Sequence, residues 1–537
     1  MRLRLSKTIK VQCPLFLRQL LFIMAEPIPL TEAGNKLDTI HVETGLAPSE
    51  TATVKEIKNA LSVPDVLAHL SETELAEFER KFKWKIDIRI LPMIVVLYIL
   101  NYLDRNNIAT ARLGGLEDDL KLTSVQYQTC VSILFVGYIL MQVPSNMLLN
   151  YIGKPSWYLS GCMLLWGIVS TCTAASMSFS GLVAVRFFLG FVEAVYFPGC
   201  LFYLSSWYTR KELSLRTAIL YSGSLLSGAF SGLLGAGIID GMQGKAGLSA
   251  WRWLFILEGG FTILVVPIAF FVLPDMPATT KFLTEEERAL ALWRLRREVG
   301  QDDWVNREEI NTRRGLTLAL TDIKVWLAGG TLSFIVAAAG VTNFFPSVVQ
   351  TLHYGTNETL LLTAPPYVLC VIVTFLNSWH ADKTGERFLH LTIPLCIAIA
   401  SFILACSTLN TAARYFSMMI MIPSIYAAYT ITLVWISNVV PRPAIKRAVA
   451  LAFLNALSNS TSIWNAYLYP ASAAPRYLVA FVCNAVFLVC ALICTLLLRV
   501  VLQRLNRKLD NGTFDIAKEF GIHENDSATF QAFRYVY

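Results

Sequence analysis

Apolar stretches of membrane length recur along this chain, separated by short polar ones. From residue 86 onward there are twelve. They cover 86–108, 126–149, 156–176, 180–207, 215–240 and 252–273, then 323–349, 360–380, 389–409, 412–439, 445–468 and 476–502. An α-helix needs about 20 predominantly apolar residues to cross a bilayer, and every stretch supplies them. Only residues 274–322 interrupt the rhythm with a long polar segment. The pattern predicts an all-α integral membrane protein of twelve transmembrane helices in two six-helix bundles. The expected organisation is a cytosolic N-terminal tail with a short charged helix (1–85), a first bundle (86–273), a cytosolic linker (274–322), a second bundle (323–502) and a cytosolic C-terminal tail (503–537). Ser71 with Glu74, and Thr284 with Glu287, have the spacing of a capping box, so each opens a helix.

Composition agrees. The 537 residues are 55% hydrophobic and 15% charged, against about 25% charged in a soluble domain. The formal net charge of +7 is no nucleic-acid signature, because the basic residues lie in short loops between apolar runs. With the N-terminus inside, the inner loops hold Lys154, Arg210, Lys211, Arg216, Lys383, Arg387, Arg442, Lys446 and Arg447. The outer loops hold Arg112, Lys121, Lys245, Arg414 and Arg476. The excess on the first side, with the linker, places both termini in the cytosol. Residues 1–24 carry Arg2, Arg4, Lys7, Lys10 and Arg18 and no acid. They read either as a targeting segment or as sequence ahead of a start at Met24.

The eleven cysteines show neither a disulfide framework nor zinc-ligand spacing, and the six histidines do not cluster. No nucleophile, base or metal cluster marks an enzyme, and no cofactor other than a coupling proton is expected.

The costly residues are the informative ones. Arg186 and Glu193, in RFFLGFVEAVYFPG, are seven residues apart and project from one helical face inside an apolar run. Asp104 and Arg105, in NYLDRNN, lie near the far end of the first run. A charge at the bilayer centre costs about 2.5–3.5 kcal/mol on insertion scales, so these four charges are expected to form one polar centre. Two arginines facing a shared cavity call for an anion between them, and the planar fork of Arg105 or Arg186 suits a carboxylate. Asp104 and Glu193 supply groups able to exchange a proton as the cavity opens to alternate sides, which suits proton symport. The bland alternative for Arg186 is pairing with Glu193 or with backbone carbonyls merely to hold helices together.

A weak repeat links the two halves. NMLLNYIGKPS follows the second run and NSWHADKTGER the eighth, aligning Asn150 and Gly153 with Asp382 and Gly385. The pattern resembles the loop signature of the major facilitator superfamily, whose fold has two six-helix halves around a central site. Asp382, Gly385 and Arg387 keep the second copy as a gating loop. The first copy has Asn150 for the usual acid and Pro155 for a common base.

NYLDRNNIATA, RFFLGFVEAVYFPG, WRWLFILEGG and LPDMPATTKFLTEEER, in this order, resemble the anion:cation symporter family of that superfamily, and its fungal allantoate permease branch in particular. The resemblance covers residues 81–504. It implies uptake of small organic anions, often carboxylated vitamins or nitrogen compounds, with protons. In related carboxylate symporters the arginine of the first-helix pair contacts the substrate carboxylate, and the adjacent acid and a fourth-helix glutamate couple protons. By resemblance these roles fall to Arg105, Asp104 and Glu193, with Arg186 as charge partner and Tyr102 as a hydroxyl donor. Asn438, Asn455 and Asn459 match the family's polar positions in the second half.

Four smaller expectations follow. Gly223, Gly228, Gly232, Gly235 and Gly237 in the fifth run serve close helix packing. Phe344, Phe345 and Pro346 read as a gate or, in preference, a kink. Glu258 is either a further titrating group or a helix-packing or outer-gate residue. Asn357-Glu358-Thr359 reads as an acceptor sequon in an outer loop. The leading expectation is a monomeric proton-coupled symporter of a small carboxylate in the plasma membrane, working by alternating access. The alternative is a nutrient-sensing receptor on a transporter fold without net transport.

Overall fold

The computed structural model describes residues 63–152, 154–302, 312–440, 444–511 and 534–535. The expectations for residues 1–62, Gly153 and most of the C-terminal tail lie outside the described residues. Within them the chain is helical, with no strand.

The first half comprises α1 (Glu72–Leu113), α2 (Ser124–Ile152), α3 (Pro155–Thr173), α4 (Phe179–Glu193), α5 (Tyr196–Ser205), α6 (Arg210–Met242) and α7 (Ala250–Val272). The linker holds α8 (Glu285–Asp302) and α9 (Thr312–Thr321). The second half comprises α10 (Ile323–Ala339), α11 (Phe345–Gln350), α12 (Thr356–Thr384), α13 (Phe388–Ser407), α14 (Thr411–Val439), α15 (Ala444–Asn465) and α16 (Leu478–Asp510).

Ten helices or helix pairs among the described residues are long and apolar enough to cross a membrane. The two expected runs outside that set, 156–176 and 445–468, correspond to α3 and α15. Both are diluted by polar residues that the fold turns inward. Ser160, Ser170 and Thr173 of α3, and Ser458, Thr461 and Asn465 of α15, are buried. Lipid therefore need not meet them. By contrast α7 exposes Phe261, Leu264, Ile268 and Phe271, and α16 exposes Val482, Val486, Ile493 and Leu497, the apolar surface a bilayer solvates.

The packing has a two-fold pattern. In the first half α1 packs on α6 and α7, α3 on α7 and α4, and α2 on α4. Replacing each helix by its counterpart in the second half gives α10 on α15 and α16, α13 on α16 and α14, and α12 on α14, all of which are observed. The halves meet through α6 against α12 and through α15 against α2, which the same exchange also relates.

Glycines set the closest approaches. A Cβ at Gly190 of α4 would overlap the Leu134 backbone of α2, and one at Gly137 of α2 would overlap the Phe187 carbonyl. Gly228 and Gly232 of α6 bring Tyr367 and Thr363 of α12 against the helix backbone and serve the contact between halves, whereas Gly223 and Gly235 face Val95 and Thr110 of α1.

Two spans are broken. After α10 a 3₁₀ turn, Gly340–Phe344, precedes α11, whose first turn holds Pro346. The expected kink is thus a true interruption. The fourth span breaks at Ala194–Val195, one residue past Glu193, where Pro198 has no N–H to offer the Ala194 carbonyl. The sequon falls in the first turn of α12 with Thr359 buried, and is therefore not in a loop.

The linker docks on the first half. Both capping boxes form. Glu287 of the second also accepts Lys85 at 2.7 Å, and Arg294 of α8 reaches Glu79 at 2.9 Å and Glu212.

Candidate functional site

Asp104 and Arg105 are consecutive on α1, so their side chains leave it about 100° apart. The single polar centre expected from sequence is therefore divided across the helix. Arg105 turns toward α2 and α4, whereas Asp104 turns toward α3 and α7.

On the first face Arg105, 8% exposed, donates Nε–H to Glu193 Oε2 at 3.0 Å. Its guanidinium lies 4.6 Å from the Tyr138 ring centroid, 5.1 Å from Tyr102 and 6.0 Å from Phe135. Neither Nη group donates to a protein acceptor among the described residues, so the broad end of the fork stays unspent. Glu193 is fully buried, and its Oε1 has no partner. Aromatic faces stabilise a cation without competing for its N–H donors. Such an arrangement leaves a charged fork available to a second carboxylate.

Arg186 takes the backbone carbonyls of the bland alternative as partners. Its Nη1 and Nη2 both donate to the Arg105 carbonyl at 3.2 Å, and Nε donates to the Cys130 carbonyl at 3.4 Å. It forms no ion pair with Glu193 among the described residues, since Arg105 takes that carboxylate. At 2% exposure, with its donors directed at backbone, Arg186 clamps α1, α2 and α4 together. It offers no second fork.

Around Arg105 the structure assembles tyrosines from both halves. Tyr102 packs edge-on against Tyr98, with ring centroids 5.0 Å apart. Tyr221 of α6 stacks on Tyr429 of α14 at 5.3 Å, and Tyr426 lies beside Tyr429. Both tyrosines of α14 neighbour Tyr102. Tyr138, Phe135, Tyr426 and Tyr429 escaped the sequence reading because an aromatic in an apolar run carries no mark of its neighbours.

The second-half candidates are more dispersed. Asn459 Nδ2 donates to the Asn455 carbonyl at 2.8 Å and to Asn455 Oδ1 at 2.9 Å, so these residues pair along α15 instead of between helices. Asn438 belongs to α14, and its side chain lies outside the described residues. Asp382 and Arg387 form an ion pair at 2.6 Å across the turn between α12 and α13. Gly385 supplies its left-handed residue at φ 68°. Asn150 is in α2, and its side chain lies outside the described residues.

The halves are pinned at the end remote from the linker. There Arg112 donates to Ser347 Oγ at 3.3 Å, Ser132 Oγ to the Ile463 carbonyl at 2.6 Å, and the Ala471 N–H to Ser124 Oγ at 3.0 Å. Tyr127 meets Phe344 edge-on across the same junction, at 6.2 Å.

Comparisons with known proteins agree with this architecture. Residues 94–464 match the Major Facilitator Superfamily family profile. The chain is 33% identical over 415 residues to the MFS transporter prlL of a fungal species, covering 74% of this chain and 81% of that protein. It is 31% identical over 424 residues to the major facilitator-type transporter hxnP of Emericella nidulans, covering 76% and 84%. The fold superposes with a TM-score of 0.60, at 16% identity, on a bacterial homologue of the human lysosomal transporter Spinster in an inward-facing, occupied conformation. That match covers 77% of this chain and 97% of the other. With helical spans in two matched halves and relatives of this kind, the chain belongs to the major facilitator superfamily and is a multi-pass membrane transporter, not an enzyme.

Proposed function

We propose that this transporter takes up a small organic carboxylate together with protons, as a member of the anion:cation symporter family resembling the allantoate permease branch. The observation that carries the reading is the Arg105–Glu193 pair. A buried cation with one carboxylate and free Nη donors is a switchable anion site. While Glu193 is ionised it neutralises Arg105. Once Glu193 takes a proton, the guanidinium loses its partner and the substrate carboxylate replaces it, bidentately through Nη1 and Nη2. Anion and proton then bind cooperatively, which is the thermodynamic condition for symport. Tyr102 and the tyrosines of α14 offer hydroxyls and ring faces to the rest of the substrate. Arg186 holds the α1 backbone beneath Arg105.

In this reading the linker end faces the cytosol in the plasma membrane, and the pinned end faces outside. The conformation described is then shut toward the outside, and alternating access moves one half against the other about α2–α15 and α6–α12. The protein works as a monomer, with the Asp382–Arg387 turn stiffening the inner loop during the exchange.

Purified protein in liposomes, given an inward proton gradient and a panel of radiolabelled carboxylates, should accumulate at least one anion. Dissipating the gradient should abolish accumulation while leaving exchange. Accumulation indifferent to the gradient would remove proton coupling, and uptake of only neutral solutes would remove the anion site.

A further inference from the structure

About a quarter turn around α1 from Arg105, two further carboxyls are buried. Asp104 is fully buried, and its carboxylate accepts Ser170 Oγ at 2.6 Å and Thr262 Oγ1 at 2.9 Å. Glu258, one turn before Thr262 on α7, is 5% exposed, and neither of its oxygens has a hydrogen-bond partner. Asp104 is the charged group that acts on it, and the Asn107 amide faces it without closing a hydrogen bond. Asn107 is itself fully buried with both amide atoms unpartnered.

Among the described residues no cation forms an ion pair with either acid. Helix α3 contributes Ser170 and Trp166, α7 contributes Thr262, and α4 contributes the further carboxylate of Glu193. The charged residues of α6 lie near its two ends, and its Tyr221 stacks on Tyr429. Neither Asp104 nor Glu258 forms an ion pair among the described residues, and Arg105 beside them is committed to Glu193. Two carboxylates sharing a site in a low-dielectric interior do not both stay ionised.

We infer that Glu258 and Asp104 form a proton-binding site behind α1, separate from Arg105–Glu193, which carries a second proton through the transport cycle. The two hydroxyls stabilise the ionised form of Asp104, so Glu258 is the resting place of the proton, and its O–H is directed at Asn107 or Asp104. The proton comes from water on one side and returns to water on the other when α1 and α7 separate. The site's role, though not its geometry, rests on the symport reading above.

Infrared spectra of the full chain in lipid vesicles test it without a substrate. At neutral pH, in either sodium or choline chloride, the wild type should show the C=O band of a buried protonated carboxyl. That band should lose intensity in Glu258→Gln, and Asp104→Asn/Glu258→Gln should show the same loss. The absence of a protonated band, or a band unchanged in both variants, would overturn the inference. A band abolished by sodium would also overturn it, because the site would then hold a metal ion. If the double variant does not fold, Glu258→Gln alone decides between these outcomes. A carboxyl band that behaves as expected, beside uptake indifferent to a proton gradient, would refute the symport reading and leave the proton site. Gradient-driven uptake without the band would refute only the site.

Discussion

Glu193→Gln isolates the step on which the mechanism turns. The substitution keeps the size of the side chain and its ability to accept from Arg105 Nε at the 3.0 Å contact, but removes the charge. Unit charges about 4 Å apart attract by about 4 kcal/mol at an effective dielectric of 20, and a substrate anion must displace that attraction to engage Arg105. The amide still accepts a hydrogen bond from the charged guanidinium, worth about 2 kcal/mol, so about half of the competition is relieved. At 1.4 kcal/mol per decade, carboxylate affinity should rise between about tenfold and about a hundredfold, and it should lose the pH dependence expected of the wild type. The sign follows from the chemistry. Wild-type affinity rises as the pH falls because protonating Glu193 frees Arg105, and the glutamine variant is already in that state. Equilibrium binding of the best carboxylate from the uptake panel, measured across pH in detergent, reads the first effect. Liposomes read the second, since the variant should exchange labelled for unlabelled anion yet concentrate it less than the wild type under the same proton gradient. Concentration by Glu193→Gln equal to that of the wild type, or wild-type affinity flat with pH, would refute the reasoning.

Three further outcomes are expected. Arg105→Lys keeps the charge but loses the planar fork, and should weaken carboxylate binding by about tenfold or more, read by competition binding; wild-type affinity would show that a point charge suffices. Gly190→Ala puts a methyl on the Leu134 backbone, where no side chain can give way, and should cost about 1–3 kcal/mol as an overpacked contact, seen as a fall in the unfolding temperature of purified protein; an unchanged temperature would mean that α2 and α4 part at little cost. Glu212, just before the fifth span, is half-buried, and burial opposes its ionisation, but Arg294, the Thr209 N–H and Lys83 outweigh that and hold its carboxyl below the usual range. A depressed carboxyl stabilises the folded state above its unfolded pKa and loses that contribution as the pH falls through its folded value. Docking of α8 should accordingly be intact at neutral pH and loosen in acid below the ordinary carboxylate range, visible as faster amide exchange in 285–302; equal protection at both pH values would contradict it.

The alternation of apolar runs and loops determined most of the architecture, because in lipid a chain satisfies its backbone only as helix or closed barrel, and runs of this length are helical. The polar interruption at 274–322, the capping pairs at Ser71 and Thr284, and the glycines of the fifth run were equally legible, since each acts through its immediate neighbours in the chain. The four buried charges announced themselves by their cost. Their partners did not. Sequence placed Asp104 and Arg105 side by side, but helical rotation turns them about 100° apart toward different neighbours, and only packing decides that Arg105, not Arg186, takes Glu193. The break after Glu193 was written in Pro198, yet a continuous apolar run masked it. Glu258 became informative only when α1 and α7 were brought together and left its oxygens unpartnered. One-dimensional pattern fixes what a segment can bury. Which buried group meets which depends on helix rotation and register, and these are set by the steric fit of whole helices.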